Sequence, residues 1–569
     1  MTVEFRRQAP AAVLSGLLLM AAAAAAPAAP AAPTAPAPRD AAVASPDVYG
    51  ADTAAEILAA GGNAVDAAVA VGFSLAVTYP EAGNLGGGGF ATVLIDGKGY
   101  FLDYRERAPG SATAGMYLDR TGQVVADAST VGAGAAGVPG TVEGLWQLHH
   151  RFGRLPWSVD LAPAIRYAHE GFRVTRMQAG TRNERAAELH GRTNFLSYFG
   201  ALSVDATFRQ SELESTLRRI AGTGPRGFYA GRTAELIVAQ MARSHGYISR
   251  EDLTAYRAVW REPLTGEWAG YHVITAPLPS SGGITLLSML AMKADLASAF
   301  AGVAANSPQY VHLLAEIEKR VFADRADYLG DPDPHSVPVA QLLDPGYLAR
   351  RASEVSVKSI SPLAAVQPGL SAHHDTTHFA ILDRFGNAVS NTYTLNDWFG
   401  SGEVVSGAGF LLNDEMDDFS AKPGAPNGYG VVGGDANAIA PGKRPLSSMT
   451  PTILTENGRV AVIIGTPGGS RIPTSIFQVL VNWHDFHMPL AAAVAAARIH
   501  HQLLPADTLF EEPYATLAPA VRAALIARGY RFEKQSFNGD IQVIVLGPSG
   551  TSAAADPRGR GVARVLASH

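Results

Sequence analysis

Cysteine is absent from the 569-residue sequence. The chain therefore forms no disulfide bond, offers no thiolate to a metal ion and has no cysteine nucleophile. The net charge of −6 is modest and there is no basic stripe, so nucleic acid is not expected as a partner. The sequence also lacks the G-x-S-x-G pentapeptide of serine hydrolases and the H-E-x-x-H motif of zinc proteases.

Long apolar runs are missing except near the N-terminus, where Arg6 and Arg7 precede an Ala- and Leu-rich run over residues 9–26. This layout predicts a signal peptide over residues 1–26, and hence export to the periplasm or beyond. A membrane anchor is the alternative, but the run is short, so no stable membrane span is expected. The Ala/Pro-rich residues 27–44 are predicted to form an extended tether.

Three patterns that suggest cofactors or metals fail on inspection. The glycines of residues 132–137 match a dinucleotide-binding pattern but lack a preceding strand. The acidic residues at 414–418 do not have EF-hand spacing. His484 and His487 have no supporting ligand cluster. We therefore expect neither a metal ion nor a cofactor.

The most informative stretch is a predicted β-hairpin, with strands over residues 376–382 and 388–395 and a loop over 383–387. If Leu382 pairs with Ala388, counting outward places Thr394 opposite Thr376. Facing residues lie about 4.5–5.5 Å apart at Cβ, so two threonines would meet at the open end. Threonine is also an ordinary strand residue, so this pair alone does not establish a site.

Other elements surround this hairpin. Asn63 is a natural N-cap for a buried helix over residues 64–78. Four glycines at 86–89 allow close backbone approach, and a strand pair turns at Asp96 and Gly97. Residues 141–354 are mostly helical, whereas strands dominate after residue 375. This distribution predicts a layered α+β or α/β sandwich, with the irregular segment 420–442 as a lid.

An internal threonine hydroxyl is a weak nucleophile that needs a base. An N-terminal threonine carries its own, because an α-amine with a pKa of about 7.7–8 is substantially neutral near pH 7. Such a group would arise here if the chain were cut between Asp375 and Thr376. Composition and periodicity do not show whether that cut occurs.

A set of ordered motifs closely resembles the γ-glutamyltranspeptidases, from about residue 45 to residue 558. The motifs are G-G-N-A-V-D-A-A-V-A (61–70), N-L-G-G-G-G-F (84–90), D-Y-R-E (103–106), P-L-P-S-S-G-G (277–283), T-T-H-F (376–379), N-x-Y-T-L-N (391–396), M-D-D-F (416–419), R-P-L-S-S-M (444–449) and G-T-P-G-G-S-R (465–471). The resemblance implies an N-terminal-nucleophile hydrolase with an α+β, four-layer αββα sandwich. It also implies a precursor that cleaves itself into a large subunit (45–375) and a small subunit (376–569), which form a heterodimer.

The resemblance also implies roles for individual residues. Thr376 would be the nucleophile in both self-cleavage and turnover, Thr394 would orient it, and the Gly468 and Gly469 amides would form the oxyanion hole. The remaining residues would recognise the γ-glutamyl group of glutathione or related compounds. Its α-carboxylate would be bound by Arg105, Ser447 and Ser448, and its α-ammonium by Asn396, Glu415 and Asp418. Tyr429 would be the gate of the lid. Water, an amino acid or a dipeptide would accept the acyl group.

Two alternatives remain at this point. One is a cephalosporin acylase of the same family that acts on glutaryl side chains, which lack the α-ammonium. The other is an unprocessed, inactive binding protein of the cell envelope.

Overall fold

The computed structural model describes residues 40–334, 337–366, 375–422, 434–535 and 539–567. The side chains of residues 327, 375 and 376 lie outside this description. No helix in the described part of the chain is long and apolar enough to cross a membrane.

The strands, in chain order, are β1 (Ala41–Ser45), β2 (Gly88–Ile95), β3 (Lys98–Tyr104), β4 (Phe172–Arg173), β5 (Thr207–Phe208), β6 (Val259–Arg261), β7 (Leu264–Trp268), β8 (Tyr271–Thr275), β9 (Asp375–Leu382), β10 (Ala388–Asn396), β11 (Thr452–Glu456), β12 (Arg459–Gly465), β13 (Ile499–His500), β14 (Thr508–Glu511), β15 (Arg531–Lys534), β16 (Gln542–Gly547), β17 (Gly550–Ala555) and β18 (Val562–Leu566).

The helices are α1 (Val48–Ala59), α2 (Ala64–Thr78), α3 (Thr141–Phe152), α4 (Trp157–Glu170), α5 (Arg176–Leu189), α6 (Phe195–Phe199), α7 (Ser211–Thr223), α8 (Arg226–Tyr229), α9 (Gly231–Ser244), α10 (Arg250–Ala255), α11 (Gly282–Asp295), α12 (Ala297–Phe300), α13 (Pro308–Tyr328), α14 (Val339–Leu342), α15 (Pro345–Ser353), α16 (Arg471–His484), α17 (Leu490–Ala495) and α18 (Pro519–Arg528).

Two large sheets form the centre of the fold. The first has the strand order β18-β1-β9-β10-β2-β3-β6, and the second has the order β17-β16-β12-β11-β8-β7. Buried alanine, leucine, isoleucine and valine side chains fill the space between them, including Ala380 of β9, Ile463 of β12 and Ile544 of β16. Helices α2 and α3 pack on the outer face of the first sheet, and α11 and α16 cover the second. The predicted αββα sandwich is therefore confirmed.

Local sequence explains the helix nearest the hairpin. The Asn63 side chain accepts hydrogen bonds from the Val65 and Asp66 amides, and Asp66 in return accepts from the Asn63 amide. This reciprocal capping starts α2 at the predicted residue. Helix α2 is buried along its whole length, and the Tyr393 hydroxyl of β10 donates to the Gly72 carbonyl within it, 3.0 Å away.

The predicted tether extends too far toward the C-terminus. Residues 41–44 belong to β1, which lies between β9 and β18 and is buried. Alanine is depleted in strands, so the segment A-A-V-A-S gives little local signal for β1, but its small side chains allow all five residues to be buried. The folded part of the chain therefore begins at least four residues before the predicted boundary at residue 45.

Candidate functional site

The hairpin that carries the two threonines is formed by β9 and β10. Leu382 pairs with Ala388, as predicted, and the register continues as far as Thr377 opposite Tyr393. It then shifts, because Asn396 is the next residue to pair, with Asp375.

The prediction that Thr394 lies directly opposite Thr376 is therefore wrong in detail. One residue of β9, Thr376, faces two residues of β10, Thr394 and Leu395, which is the pattern of a β-bulge. Asn396, at φ 84°, ends the irregular stretch, and its backbone N–H donates to the Thr394 hydroxyl at 2.8 Å. Bulges commonly re-aim side chains next to active sites.

The glycine motif N-L-G-G-G-G-F holds the end of β10. The Asn84 side chain donates to the Thr394 carbonyl at 2.8 Å and accepts from the Gly87 amide at 2.9 Å. A Cβ on Gly87 would lie 1.9 Å from the Thr394 carbonyl oxygen. Only glycine permits this approach, so the motif acts by fixing the backbone of Thr394.

The predicted oxyanion amides lie in the loop between β12 and α16. Gly468 and Gly469 are buried, with φ values of 129° and 62°. Neither amide N–H has a hydrogen-bond acceptor among the described residues, although both carbonyls accept from the first turn of α16. A buried, unpaired amide is costly, so two in succession indicate a place for an anionic oxygen.

This loop starts next to β9. A Cβ on Gly465, the last residue of β12, would lie 2.4 Å from the His378 ring, two residues after Thr376. Burial lowers the pKa of His378 to about 3, so its ring is neutral at physiological pH. His378 Nδ1 lies 2.8 Å from the Thr392 hydroxyl, and this contact braces the hairpin.

Arg105 lies at the end of β3 with no exposed side-chain surface. Its guanidinium pairs with Glu415 and Asp418, and its Nε donates to the Pro445 carbonyl at 3.2 Å. The motifs D-Y-R-E, M-D-D-F and R-P-L-S-S-M meet at this one side chain.

The charges around Arg105 do not balance. A third carboxylate, Glu106, lies 3.5 Å from the same guanidinium. Burial raises the pKa values of Glu106, Glu415 and Asp418, although Arg105 lowers each of them. Burial alone would lower the pKa of Arg105, but the carboxylates reverse this and raise it. The excess of buried acid over base would accommodate a further cation such as an ammonium group.

Ser447 and Ser448 each have a hydroxyl hydrogen to offer. The Ser447 hydroxyl accepts from the Met449 amide at 3.1 Å, and the Ser448 hydroxyl accepts from Arg325 at 2.7 Å. Neither hydroxyl donates to an acceptor in the described ranges. Two neighbouring hydroxyls whose hydrogens are available are suited to binding a carboxylate.

Asn396 joins the hairpin to the acidic segment, because its side chain donates to the Asp414 carbonyl at 3.0 Å, next to Glu415. Tyr429, the predicted gate, lies outside the described residues. The side chains on either side of the predicted cut, Asp375 and Thr376, are likewise not described, although their backbone begins β9.

One group in the described ranges has a composition that could hold a metal ion, namely Asp66, His149 and Asp160. Asp66 and His149 Nε2 have other partners, whereas His149 Nδ1 and both carboxyl oxygens of Asp160 have no hydrogen-bond partner among the described residues. Asp66 accepts from three backbone amides, at Asn63, Arg154 and Leu155, and His149 Nε2 lies 2.8 Å from the Leu155 carbonyl. Burial and the nearby Asp66 raise the pKa of Asp160 to about 9, which holds a proton on Asp160 at neutral pH. Because Asp66 is occupied by backbone amides and Asp160 is protonated, the group is poorly suited to a metal ion.

Sequence reasoning missed two residues that support the serine pair. Arg325 of α13 and Ser281 at the start of α11 lie behind Ser447 and Ser448, and the Ser281 hydroxyl donates to the Ser447 carbonyl at 2.7 Å. The motif P-L-P-S-S-G-G contains Ser281 and pointed to this segment without a role. Arg325 had no signal beyond a charged residue within a predicted helix.

Comparison with known proteins identifies a matching family model and similar curated sequences. A family model described as Gamma-glutamyltranspeptidase matches residues 50–566. The glutathione hydrolase proenzyme of Pseudomonas aeruginosa is 61% identical over 526 residues, which cover 92% of this chain and 94% of that protein.

Two solved structures are also similar. The gamma-glutamyltranspeptidase from Pseudomonas nitroreducens aligns at 58% identity and a TM-score of 0.57, covering 57% of this chain and 97% of its own. A cephalosporin acylase from Bacillus halodurans aligns at 28% identity and a TM-score of 0.81, covering 97% and 100%. The ordered motifs, the αββα sandwich and these matches together show that the chain belongs to the γ-glutamyltranspeptidase family.

Proposed function

We propose that this enzyme is an exported glutathione hydrolase and γ-glutamyltransferase that matures by cutting itself between Asp375 and Thr376. The buried charge arrangement around Arg105 supports this proposal most strongly. It combines three carboxylates, one guanidinium and two serine hydroxyls with available hydrogens. A γ-glutamyl group carries both an α-ammonium and an α-carboxylate, so it complements both halves of this arrangement.

Maturation uses the threonine hydroxyl as a nucleophile on its own chain. The Thr376 hydroxyl attacks the Asp375 carbonyl, and the peptide nitrogen leaves as the amine of Thr376, which gives an ester. Water then hydrolyses that ester, restores the hydroxyl and leaves a free α-amine on Thr376. This amine is the base that the hydroxyl needs during turnover.

In turnover, the Thr376 hydroxyl attacks the γ-carbonyl of the donor. The leaving amine takes a proton, and the γ-glutamyl group becomes an ester on Thr376. Water or the amine of an amino acid or dipeptide then releases the group. Thr394 positions the nucleophile across the bulge, and the Gly468 and Gly469 amides bind the oxyanion, where one donor is worth about 10²–10³ in rate.

Donor recognition follows from charge. The α-carboxylate binds Ser447, Ser448 and Arg105, and the α-ammonium binds Glu415, Asp418 and Asn396. In the structure Arg105 is paired with Glu415 and Asp418. A bound zwitterion would replace part of that internal pairing with two complementary contacts, so little charge would be left unpaired on binding. We propose that Tyr429 acts as the gate of this site.

A glutaryl acylase is the second candidate, because the family includes acylases and a cephalosporin acylase shares the fold. A glutaryl group has no ammonium, so it would leave the acid excess around Arg105 unbalanced. Turnover of γ-glutamyl-p-nitroanilide and of glutaryl-7-aminocephalosporanic acid should be measured side by side. We expect release of p-nitroaniline and little hydrolysis of the glutaryl compound, and the reverse pattern would overturn the proposal.

An inactive envelope binding protein is the remaining alternative. Denaturing gels discriminate, because maturation gives a large subunit that includes β1 and ends at Asp375 and a small subunit (376–569), whereas an unprocessed protein gives one full-length band. We propose that the two subunits remain together as a heterodimer and that residues 1–26 direct export. The separate subunit chain of the solved Pseudomonas nitroreducens relative supports this division.

A further inference from the structure

Arg325 is a buried cation next to the proposed carboxylate site. It lies near the end of α13 and is 2% exposed. Its Nε donates to the Ser281 hydroxyl at 2.6 Å, and one terminal nitrogen donates to the Ser448 hydroxyl at 2.7 Å. The other terminal nitrogen, Nη1, has no hydrogen-bond partner in the described part of the chain.

No carboxylate in the described ranges forms an ion pair with Arg325. Burial lowers the pKa of Arg325 to about 9, and the more distant Asp418 only partly offsets this. Two neutral hydroxyls do not replace the hydration that a buried guanidinium loses. A guanidinium with an unused N–H in such a place therefore favours the binding of an anion.

Arg325 also controls the direction of the serine hydroxyls. Because the Ser448 oxygen accepts from Arg325, its own hydrogen is turned away from the guanidinium. Ser281 accepts from the Arg325 Nε and donates to the Ser447 carbonyl at 2.7 Å, so Arg325 also supports the backbone of Ser447. One side chain thus holds both serines.

Arg105 is less available for an anion. Its guanidinium pairs with Glu415 and Asp418, and it also donates to the carbonyls of Pro445 and Leu446. An incoming carboxylate must compete with two carboxylates there, whereas Arg325 presents a cation without such a competitor.

We propose that Arg325 is a specificity-determining residue that positions Ser448 and supplies a second positive charge for the α-carboxylate of the γ-glutamyl donor. This inference rests on the proposed function. The alternative is a purely structural role, in which Arg325 only ties residues 277–283 to residues 444–450.

The test compares ligands that differ only in the charge of the α-carboxylate. The ligands are glutamate and its neutral α-carboxamide, each measured as an inhibitor of γ-glutamyl-p-nitroanilide turnover. We expect Arg325→Gln to raise the KM for the donor and the inhibition constant of glutamate by about 10- to 100-fold, the range for hydrogen bonds to charged groups. The inhibition constant of the α-carboxamide should change by less than 3-fold, and kcat should fall less than KM rises.

Matched variants separate charge from position. Arg325→Lys keeps the charge without the fork of donors, so glutamate affinity should be intermediate. Ser281→Ala removes one contact of Arg325 and leaves its charge, so the effect should be smaller than that of Arg325→Gln. If a denaturing gel shows that Arg325→Gln is not cut, the test is made with these two variants alone.

Two results would overturn the inference. Equal weakening of glutamate and of its α-carboxamide in these variants would indicate a structural role only, and unchanged affinity for both would indicate no role. A wild-type protein that matures but does not turn over γ-glutamyl-p-nitroanilide would instead overturn the proposed function, so the two failures are distinguishable.

Discussion

At the residue scale, the account depends on one hydroxyl. Thr376→Ala should give an uncut, inactive chain, because no other group is proposed to attack the Asp375 carbonyl. Thr376→Ser keeps a hydroxyl and should still cut, although more slowly. Thr377→Ala is the matched control, since the Thr377 hydroxyl has no hydrogen-bond partner among the described residues, and it should mature. Denaturing gels over time measure all three, and normal cutting in Thr376→Ala would contradict the mechanism.

Asp160 gives a prediction about pH at the same scale. Its folded-state pKa of about 9 is raised by burial and by Asp66, above an unfolded value of about 3.9. Its contribution to stability is therefore greatest below pH 4 and falls as the pH rises toward 9. The Asp160→Asn variant does not lose this contribution. Its free energy of unfolding relative to that of the wild type should therefore increase by at most about 4 kcal/mol between pH 5 and pH 8. Thermal unfolding at both pH values measures it, and an equal difference at both would contradict the raised pKa.

At the element scale, the glycine loop and the end of β10 act together. Gly87→Ala places a Cβ 1.9 Å from the Thr394 carbonyl oxygen, so the bulge must move and self-cleavage should slow by at least about tenfold. Gly180→Ala, in α5 with no atom near the added Cβ, is the control and should mature normally. Precursor and product bands in a time course measure both rates, and equal rates would show that the loop does not position Thr394.

The same elements show what the sequence could predict. The hairpin turn and the start of α2 depend on local signals, the loop at 383–387 and the Asn63 cap, and both were predicted correctly. The bulge depends on contacts with Asn84 and Gly87, which are about 300 residues away in the chain. Arg325 was missed for the same reason, since its role arises only when α13 packs against the serine segment. Residues 41–44 were assigned to the tether because the Ala-rich sequence continues from the tether into β1 without a local signal for the change.

At the scale of the whole molecule, the predicted cut does not divide the fold into two bodies. In the first sheet, β1 of the proposed large subunit lies between β9 and β18 of the small one. In the second sheet, β8 of the large subunit pairs with β11 of the small one. Separation would break both sheets, so the cut protein should elute as one species in size-exclusion chromatography and give two bands only after denaturation. Separate elution of the fragments under native conditions would contradict this.

The central claim is that Thr376 becomes the N-terminus of a mature small subunit. N-terminal sequencing of the smaller fragment tests it most directly, because it identifies the cut to the residue without reference to activity. The account predicts a sequence that begins Thr-Thr-His-Phe. A fragment that begins at any other residue, or a chain that stays intact after maturation, would contradict it.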